Sequence, residues 1–383
     1  MKKLLTYIML GMLSIISLAS TDIYLPIMSV IAESLQTNVT MIQFSISVFI
    51  LGLGVGQVIY GYCADHLGLR STFFAFMCLY IIGSIICGLS HHIYVFLFGR
   101  ILQAVGVSSA LAAWQPLALI LYDKEKAKSV VSILFTLIFL SPGFAPALGV
   151  YIYKISNWHS CFYVMAVYSI ILTGLFFITV PNRKRDISNC HKKNIFSSYY
   201  SLLSNLKFIN YLFIITCCYS GYLTYLIAFP VLAQAKGRSA MDIGLQFIPL
   251  AISFCVGALI SKRMMRQYNQ HTITFGLAIY TAAVVMLSTI GIFSTYFEFM
   301  LLGSFCLLML GNGVLLPAAS FEAITLVKPL AHSASGMLGS SRMLFAFIAT
   351  SLVSFNGMGG LYFKLMAVLI FTCVISWLCV ARK

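Results

Sequence analysis

Charge is the scarcest commodity in this chain. Of its 383 residues, 9% are Asp, Glu, Lys or Arg, and the acids number only nine. Soluble domains carry roughly 25% charged residues, so this composition does not cover a water-exposed surface. The few acids, with seven histidines dispersed mostly between the apolar runs, supply no cluster for a membrane-embedded enzyme. A glycine-rich phosphate loop is missing as well, which leaves a nucleotide-driven machine without a site for its fuel. The 11 cysteines are scattered, Cys217 and Cys218 are merely adjacent, and no spacing resembles a metal or redox site. No metal and no cofactor is therefore expected. Basic residues do not gather on a soluble face with aromatics between them, which excludes nucleic-acid binding. No stretch reads as an added soluble domain of the kind a transport-dead sensor or scaffold would carry.

What the chain does have is apolar length, with 61% hydrophobic residues. Several windows of about 20 residues contain no charge, the length that crosses a hydrocarbon core of about 30 Å. Helices satisfy their own backbone there, and the runs are continuous rather than alternating over segments of about 10 residues as in a membrane barrel. The expected fold is all-α and polytopic, with twelve transmembrane helices in two six-helix bundles. The first set reads Leu4–Ile31, Met41–Tyr62, Thr72–Ser90, Tyr94–Leu119, Val130–Tyr153 and Cys161–Val180. The second reads Tyr211–Leu232, Ile243–Ser261, Thr272–Phe293, Phe299–Thr325, Ser333–Phe355 and Leu361–Val380. An N-terminal bundle over 1–180, a polar linker over 181–208 and a C-terminal bundle over 209–383 follow. The opening MKKLLTYIMLGMLSIISLAS mimics a secretory signal, but cleavage would leave eleven spans and invert every later loop. It is read as the uncleaved first helix.

The net charge of +15 is a topology signal. With the N-terminus in the cytoplasm, the inner side collects Lys2, Lys3, Arg70, Lys124, Lys126 and Lys128. It also takes Arg183, Lys184, Arg185, Lys192, Lys193 and Lys207, then Lys262, Arg263, Arg266, Lys328, Arg382 and Lys383. The outer side holds Lys154, Lys236, Arg238 and Lys364, and Arg100 and Arg342 fall inside spans. Eighteen against four places both termini inside a bacterial inner membrane.

The segment GYCADHLGLR, Gly61 to Arg70, joins the second and third spans with a glycine at each end, an acid and an arginine. The glycines permit a tight turn, and an anion such as Asp65 is stabilised at a helix N-terminus. Elsewhere in the chain stand STDIYLP from Ser20, FGRILQAVG from Phe98, SPGFAPALG from Ser141, and Asn157-Trp158-His159. GYCADHLGLR resembles the signature loop of the major facilitator superfamily, and STDIYLP resembles the first helix of its Bcr/CflA drug:proton antiporters. FGRILQAVG and SPGFAPALG are similar to the fourth-helix motif and the antiporter fifth-helix motif. His159 stands where the subfamily pattern has arginine. The resemblance is weaker in the second half, where LLPAASFEAITL and AHSASGMLGSSRML look like its tenth and eleventh helices.

By that resemblance, Gly61, Asp65, Gly68 and Arg70 form the cytoplasmic gate, with Asp65 meeting a later helix N-terminus. Pro142, Gly143, Pro146 and Gly149 form the antiporter helix motif, whose prolines and small residues bend the helix and allow close packing. Asp22 lies well inside the first span, where an ionised carboxylate is costly and functional by default. It is the candidate for proton coupling, with an N-cap ahead of Pro26 or a buried pair with Arg100 as the plainer readings. Arg100 is the resemblance's partner for that acid and otherwise a structural tie. Some relatives carry a second acid two turns earlier; Ser14 stands there, which suits a one-proton cycle. Arg342 departs from the expected uncharged pattern, and either favours an anionic substrate or pairs with Glu322. Tyr24, Gln57, Gln103, Trp114, Gln115 and Asn312 are further candidates for lining a cavity, or for helix-to-helix hydrogen bonds. Gly52, Gly54, Gly56 and Gly61 form a small-residue ridge.

The function expected is proton-coupled export of small amphipathic drugs by alternating access, powered by the proton gradient. A dedicated exporter of a carboxylate siderophore or similar metabolite, and an importer, are the alternatives. One chain supplies both halves, so a monomer suffices.

Overall fold

A computed structural model describes residues 2–181, 195–234, 240–289, 297–354 and 361–382. The basic residues Arg183, Lys184, Arg185, Lys192, Lys193, Lys236 and Arg238 lie outside the described residues. Among the described residues the chain is helical throughout. The first set comprises α1 (Lys2–Asp22), α2 (Met28–Ser34), α3 (Val39–His66), α4 (Leu69–Leu89), α5 (Ile93–Leu121), α6 (Lys124–Ile155) and α7 (His159–Thr179). A short α8 (Ile195–Leu203) follows within the polar stretch. The second set comprises α9 (Leu206–Gln234), α10 (Ala240–Gln267), α11 (Asn269–Thr289), α12 (Phe297–Leu326), α13 (Ala331–Ser354) and α14 (Leu361–Ala381).

Ten stretches are long and apolar enough to cross a bilayer among the described residues, and α1 with α2 count as one of them, Leu4–Ser34. The other two of twelve crossings are α6 and α13, helices of 32 and 24 residues.

The first crossing is broken, not continuous. α1 stops at Asp22, a 3-10 turn spans Leu25–Ile27, and α2 restarts at Met28. Pro26 has no N–H to give the carbonyl of Asp22 four residues back, and its ring clashes with that carbonyl. The break therefore falls at Asp22, the acid well inside the first crossing.

The chain forms two compact units: Met1–Tyr122, Leu140–Ser201 and Val327–Ser340 in one, and Asp123–Phe139, Leu202–Leu326 and Ser341–Lys383 in the other. Within the first, α5 packs against α1, α3 and α4, while α7 packs against α1 and α4. Within the second, α12 packs against α9, α10 and α11, while α14 packs against α9 and α11. The same pairing scheme thus occurs twice, as an internal repeat requires. Glycines set the closest approaches in both. A Cβ at Gly83 of α4 would lie 2.5 Å from the Gln103 amide of α5, and one at Gly311 of α12 would lie 2.8 Å from the Tyr280 amide of α11.

Candidate functional site

The turn between α3 and α4 is two residues long, Leu67 and Gly68, and Gly68 has φ +104°, a conformation that favours glycine. Just before it, Asp65 is buried and reaches the start of α13. Its Oδ2 accepts the Ser333 backbone N–H at 2.7 Å, while Oδ1 accepts from His332 Nδ1 at 2.9 Å and from the His332 backbone N–H at 3.4 Å. These are amides of the first helical turn, which lack partners inside the helix. A carboxylate there gains both hydrogen bonds and the helix dipole, up to about 2 kcal/mol for the dipole in partly buried geometry.

The contact needs glycines on both sides. A Cβ at Gly61 would lie 2.6 Å from the His332 carbonyl and 2.9 Å from Ser333 Cα. Gly336 presses on the Gln57 carbonyl, and a Cβ at Gly339 would run into the Gln57 amide. Arg70, past the turn, does not join Asp65: Nη2 donates to the Phe177 carbonyl, and its guanidinium lies 5.3 Å from the Phe177 ring centroid. It ties α4 to α7. α8 adds a brace, since Tyr199 donates to the Val58 carbonyl at 2.6 Å and Ser198 meets His66 Nε2 at 3.3 Å. Burial, reinforced by the charge of Asp65, pushes the Tyr199 hydroxyl well above its usual pKa, so it remains a donor.

Deeper in the same unit is a second polar cluster around Arg100, which is fully buried. Nη1 donates to the Ser20 carbonyl at 3.1 Å and to Gln103 Oε1 at 2.8 Å. The guanidinium lies 4.1 Å from the Phe49 ring centroid and 4.8 Å from that of Tyr24. Gln103 in turn donates to Ser84 Oγ at 2.7 Å, and Ser20 Oγ meets the Tyr80 hydroxyl at 2.6 Å. Arg100 thus holds the backbone of α1 two residues before Asp22 and makes no ion pair with its carboxylate among the described residues.

Asp22 itself is half-buried, and its Oδ2 is shielded from solvent with no hydrogen-bond partner. An unpartnered carboxylate oxygen in an apolar setting is an expensive group, and taking up a proton relieves the cost. Beside it, Gly149 of α6 lies on the Ile23 carbonyl with no room for a Cβ. The antiporter-like motif and the helix break therefore meet at the residue after Asp22. Pro146 is half-buried in the same helix; the side chains of Pro142 and Gly143 lie outside the described residues.

The remaining candidates are mostly packed. Tyr24 is fully buried, hydrogen-bonds Ser45 Oγ at 2.9 Å and packs on Phe96 and Phe162. Gln57, Trp114 and Gln115 are buried, and Gln57 Nε2 donates to the Leu53 carbonyl at 3.2 Å. In the second unit, Asn312 is buried and donates to the Cys218 carbonyl at 3.4 Å. Arg342 is buried with its guanidinium 5.5 Å from the Tyr219 ring centroid. Of the ridge glycines, Gly52 and Gly56 lie against Ala104 and Ser108 of α5, and Gly54 faces Ser340.

The sequence reading did not single out His332 or Tyr199. His332 is the second residue of α13, behind the Lys328–Leu330 turn, and polar residues behind a proline at a helix start are the signal that marks it.

The sequence profile of the Major Facilitator Superfamily matches residues 10–350. An uncharacterised MFS-type transporter, YdgK, of Bacillus subtilis (strain 168) is 25% identical over 91% of this chain and 88% of its own length. Multidrug resistance protein D of Escherichia coli (strain K12) is 24% identical over 98% of this chain and 95% of its own. Among solved structures, the fucose:proton symporter FucP of E. coli superposes with a TM-score of 0.77 at 12% identity, covering 98% of both chains.

Proposed function

We propose that this chain, which belongs to the Major Facilitator Superfamily and is thereby a multi-pass membrane transporter and not an enzyme, exports small amphipathic drugs in exchange for protons. One observation carries the proposal: Asp22, at a helix break inside the first crossing, keeps a buried carboxylate oxygen with no partner. Such a group is built to gain and lose a proton. In an exchange cycle it binds substrate when deprotonated toward the cell and releases it when protonated from outside, each state favouring a different arrangement of the helices. The name of the multidrug resistance relative supports drugs as the substrate class. The motifs of the first, fourth and fifth crossings support assignment to the Bcr/CflA antiporters.

In this reading Arg100 positions the α1 backbone around Asp22, and Asp65 holds the cytoplasmic end of α3 to the start of α13. Tyr24, Gln57, Gln103, Trp114 and Gln115 of the first unit, and Asn312 and Arg342 of the second, are the polar and aromatic side chains we assign as candidates for substrate contact. The excess of lysine and arginine in alternate loops supports an inner-membrane location with both termini cytoplasmic. The transporter works as a monomer.

The test is proton movement in everted membrane vesicles. Adding a panel of amphipathic drugs to energised vesicles containing the protein should collapse part of the pH gradient. If only a carboxylate-rich metabolite does so, the substrate class is wrong; if nothing does so in a well-expressed, folded preparation, the exchange mechanism is wrong.

A further inference from the structure

The C-terminal turns of α10 carry a feature that drug export does not use. Lys262, Arg263, Arg266, Gln267 and Leu259 line a concavity of about 290 Å³ at the end of the crossing Gln246–Gln267. None of the three cations takes a hydrogen bond or ion pair with the protein among the described residues. Their spacing of three and four places like charges side by side on one helix face, which is unfavourable without a counter-anion.

Neutralising the helix's own negative end does not account for them. Lys128 of α6 already does that, donating to the Met265 carbonyl at 2.9 Å while paired with Glu125, also at 2.9 Å. The cluster also continues an apolar stripe. Ile248, Ile252, Val256 and Leu259 are 56%, 57%, 41% and 59% exposed, and their steps of four, four and three lead to Arg263 and Arg266 on the same face. From Ile248 to Leu259 that stripe is about 16 Å long at about 1.5 Å per residue. One leaflet of a hydrocarbon core about 30 Å thick has this depth. An acyl chain laid along the stripe would bring its headgroup to the three cations.

We propose that the end of α10 is a binding site for an anionic phospholipid, its headgroup phosphate held by Lys262, Arg263 and Arg266 and its chain lying on the Ile252–Leu259 face. Basic pockets at the ends of membrane helices have the chemistry for this, each Lys or Arg adding about fivefold to the affinity of an anionic lipid.

The experiment is native mass spectrometry of the purified full chain after delipidation, titrated with phosphatidylglycerol or with phosphatidylcholine of the same acyl composition. The wild-type protein should hold one phosphatidylglycerol in preference to phosphatidylcholine. The triple variant Lys262→Gln/Arg263→Gln/Arg266→Gln should weaken that binding on the order of a hundredfold. A control removing as many exposed charges elsewhere, Lys124→Gln/Lys207→Gln/Arg382→Gln, should keep it. Arg263→Glu, a single change at an exposed position, gives a second readout should the triple variant fold poorly, and should also lose the preference. Unchanged binding in Arg263→Glu, equal loss in the control, or equal retention of phosphatidylcholine would overturn the proposal. Displacement of the lipid by millimolar inorganic phosphate would overturn it too, by making the site one for free phosphate.

Discussion

The carboxylate of Asp65 accepts the backbone amide of Ser333 at 2.7 Å, although 268 residues separate them in the chain. With His332 bonded to the other oxygen, the first turn of α13 is held to the end of α3 by charge-assisted bonds. Asp65→Ala strips the acceptor from at least three donors, and a buried unsatisfied partner costs about 1–3 kcal/mol. We expect transport in vesicles to fall roughly 5- to 150-fold, and Asp65→Asn, which keeps one acceptor oxygen, to lose less. Wild-type rates in Asp65→Ala would remove this contact from the mechanism.

Gly61 supplies an independent handle on the same contact. Its Cβ would meet backbone atoms of His332 and Ser333 at 2.6 and 2.9 Å, which cannot swing aside as a side chain can. Gly61→Ala should therefore destabilise the folded protein by about 1–3 kcal/mol and depress transport. Gly174, with nothing within 4 Å, is the matched control. There alanine should be neutral or should raise the melting temperature, since it is the better helix former. Thermal unfolding in detergent, read for both variants, checks the pair.

Arg100 clamps backbone and amide, not the Asp22 carboxylate. A lysine keeps the charge but gives up the planar fork lying near the rings of Phe49 and Tyr24. Arg100→Lys should lower the melting temperature and the maximal rate, yet leave protons moved per substrate unchanged. Parallel substrate and proton fluxes measure that ratio. A changed ratio would make Arg100 part of the proton path.

At Gly149 the added methyl of alanine would fall on the Ile23 carbonyl, at the break that presents Asp22. Gly149→Ala should uncouple or silence exchange more than it lowers stability, because the strain lands on the turn and not on the main packing of α6. Comparing proton flux with the unfolding temperature separates these effects. A purely structural glycine would move both together.

Much of this was legible from local sequence. The role of Asp65 came from the resemblance of the Gly61–Arg70 loop to a family motif, while the loop's glycines are readable because a two-residue turn is a short-range requirement. Charge bias and run length gave the crossings for the same reason. The partners were not readable. Nothing local says that Asp65 meets His332, or that Arg100 binds the Ser20 carbonyl and not Asp22, because the register between helices is set by packing. The break after Asp22 was announced by Pro26, but the apolar run on either side reads as one continuous span. Tyr199 was hidden because α8 is only nine residues long, too short for its apolar pattern to mark a helix within a polar linker.

The most direct test of the account is Asp22→Asn in everted vesicles. The amide keeps the shape of the side chain but can neither ionise nor exchange a proton, so it stands for the protonated, releasing state. Substrate-induced collapse of the pH gradient should vanish and substrate binding by the purified protein should weaken, while expression and folding persist. If the variant moves protons with substrate as well as the wild type does, Asp22 is a structural residue at a helix break and the proposed coupling site is wrong.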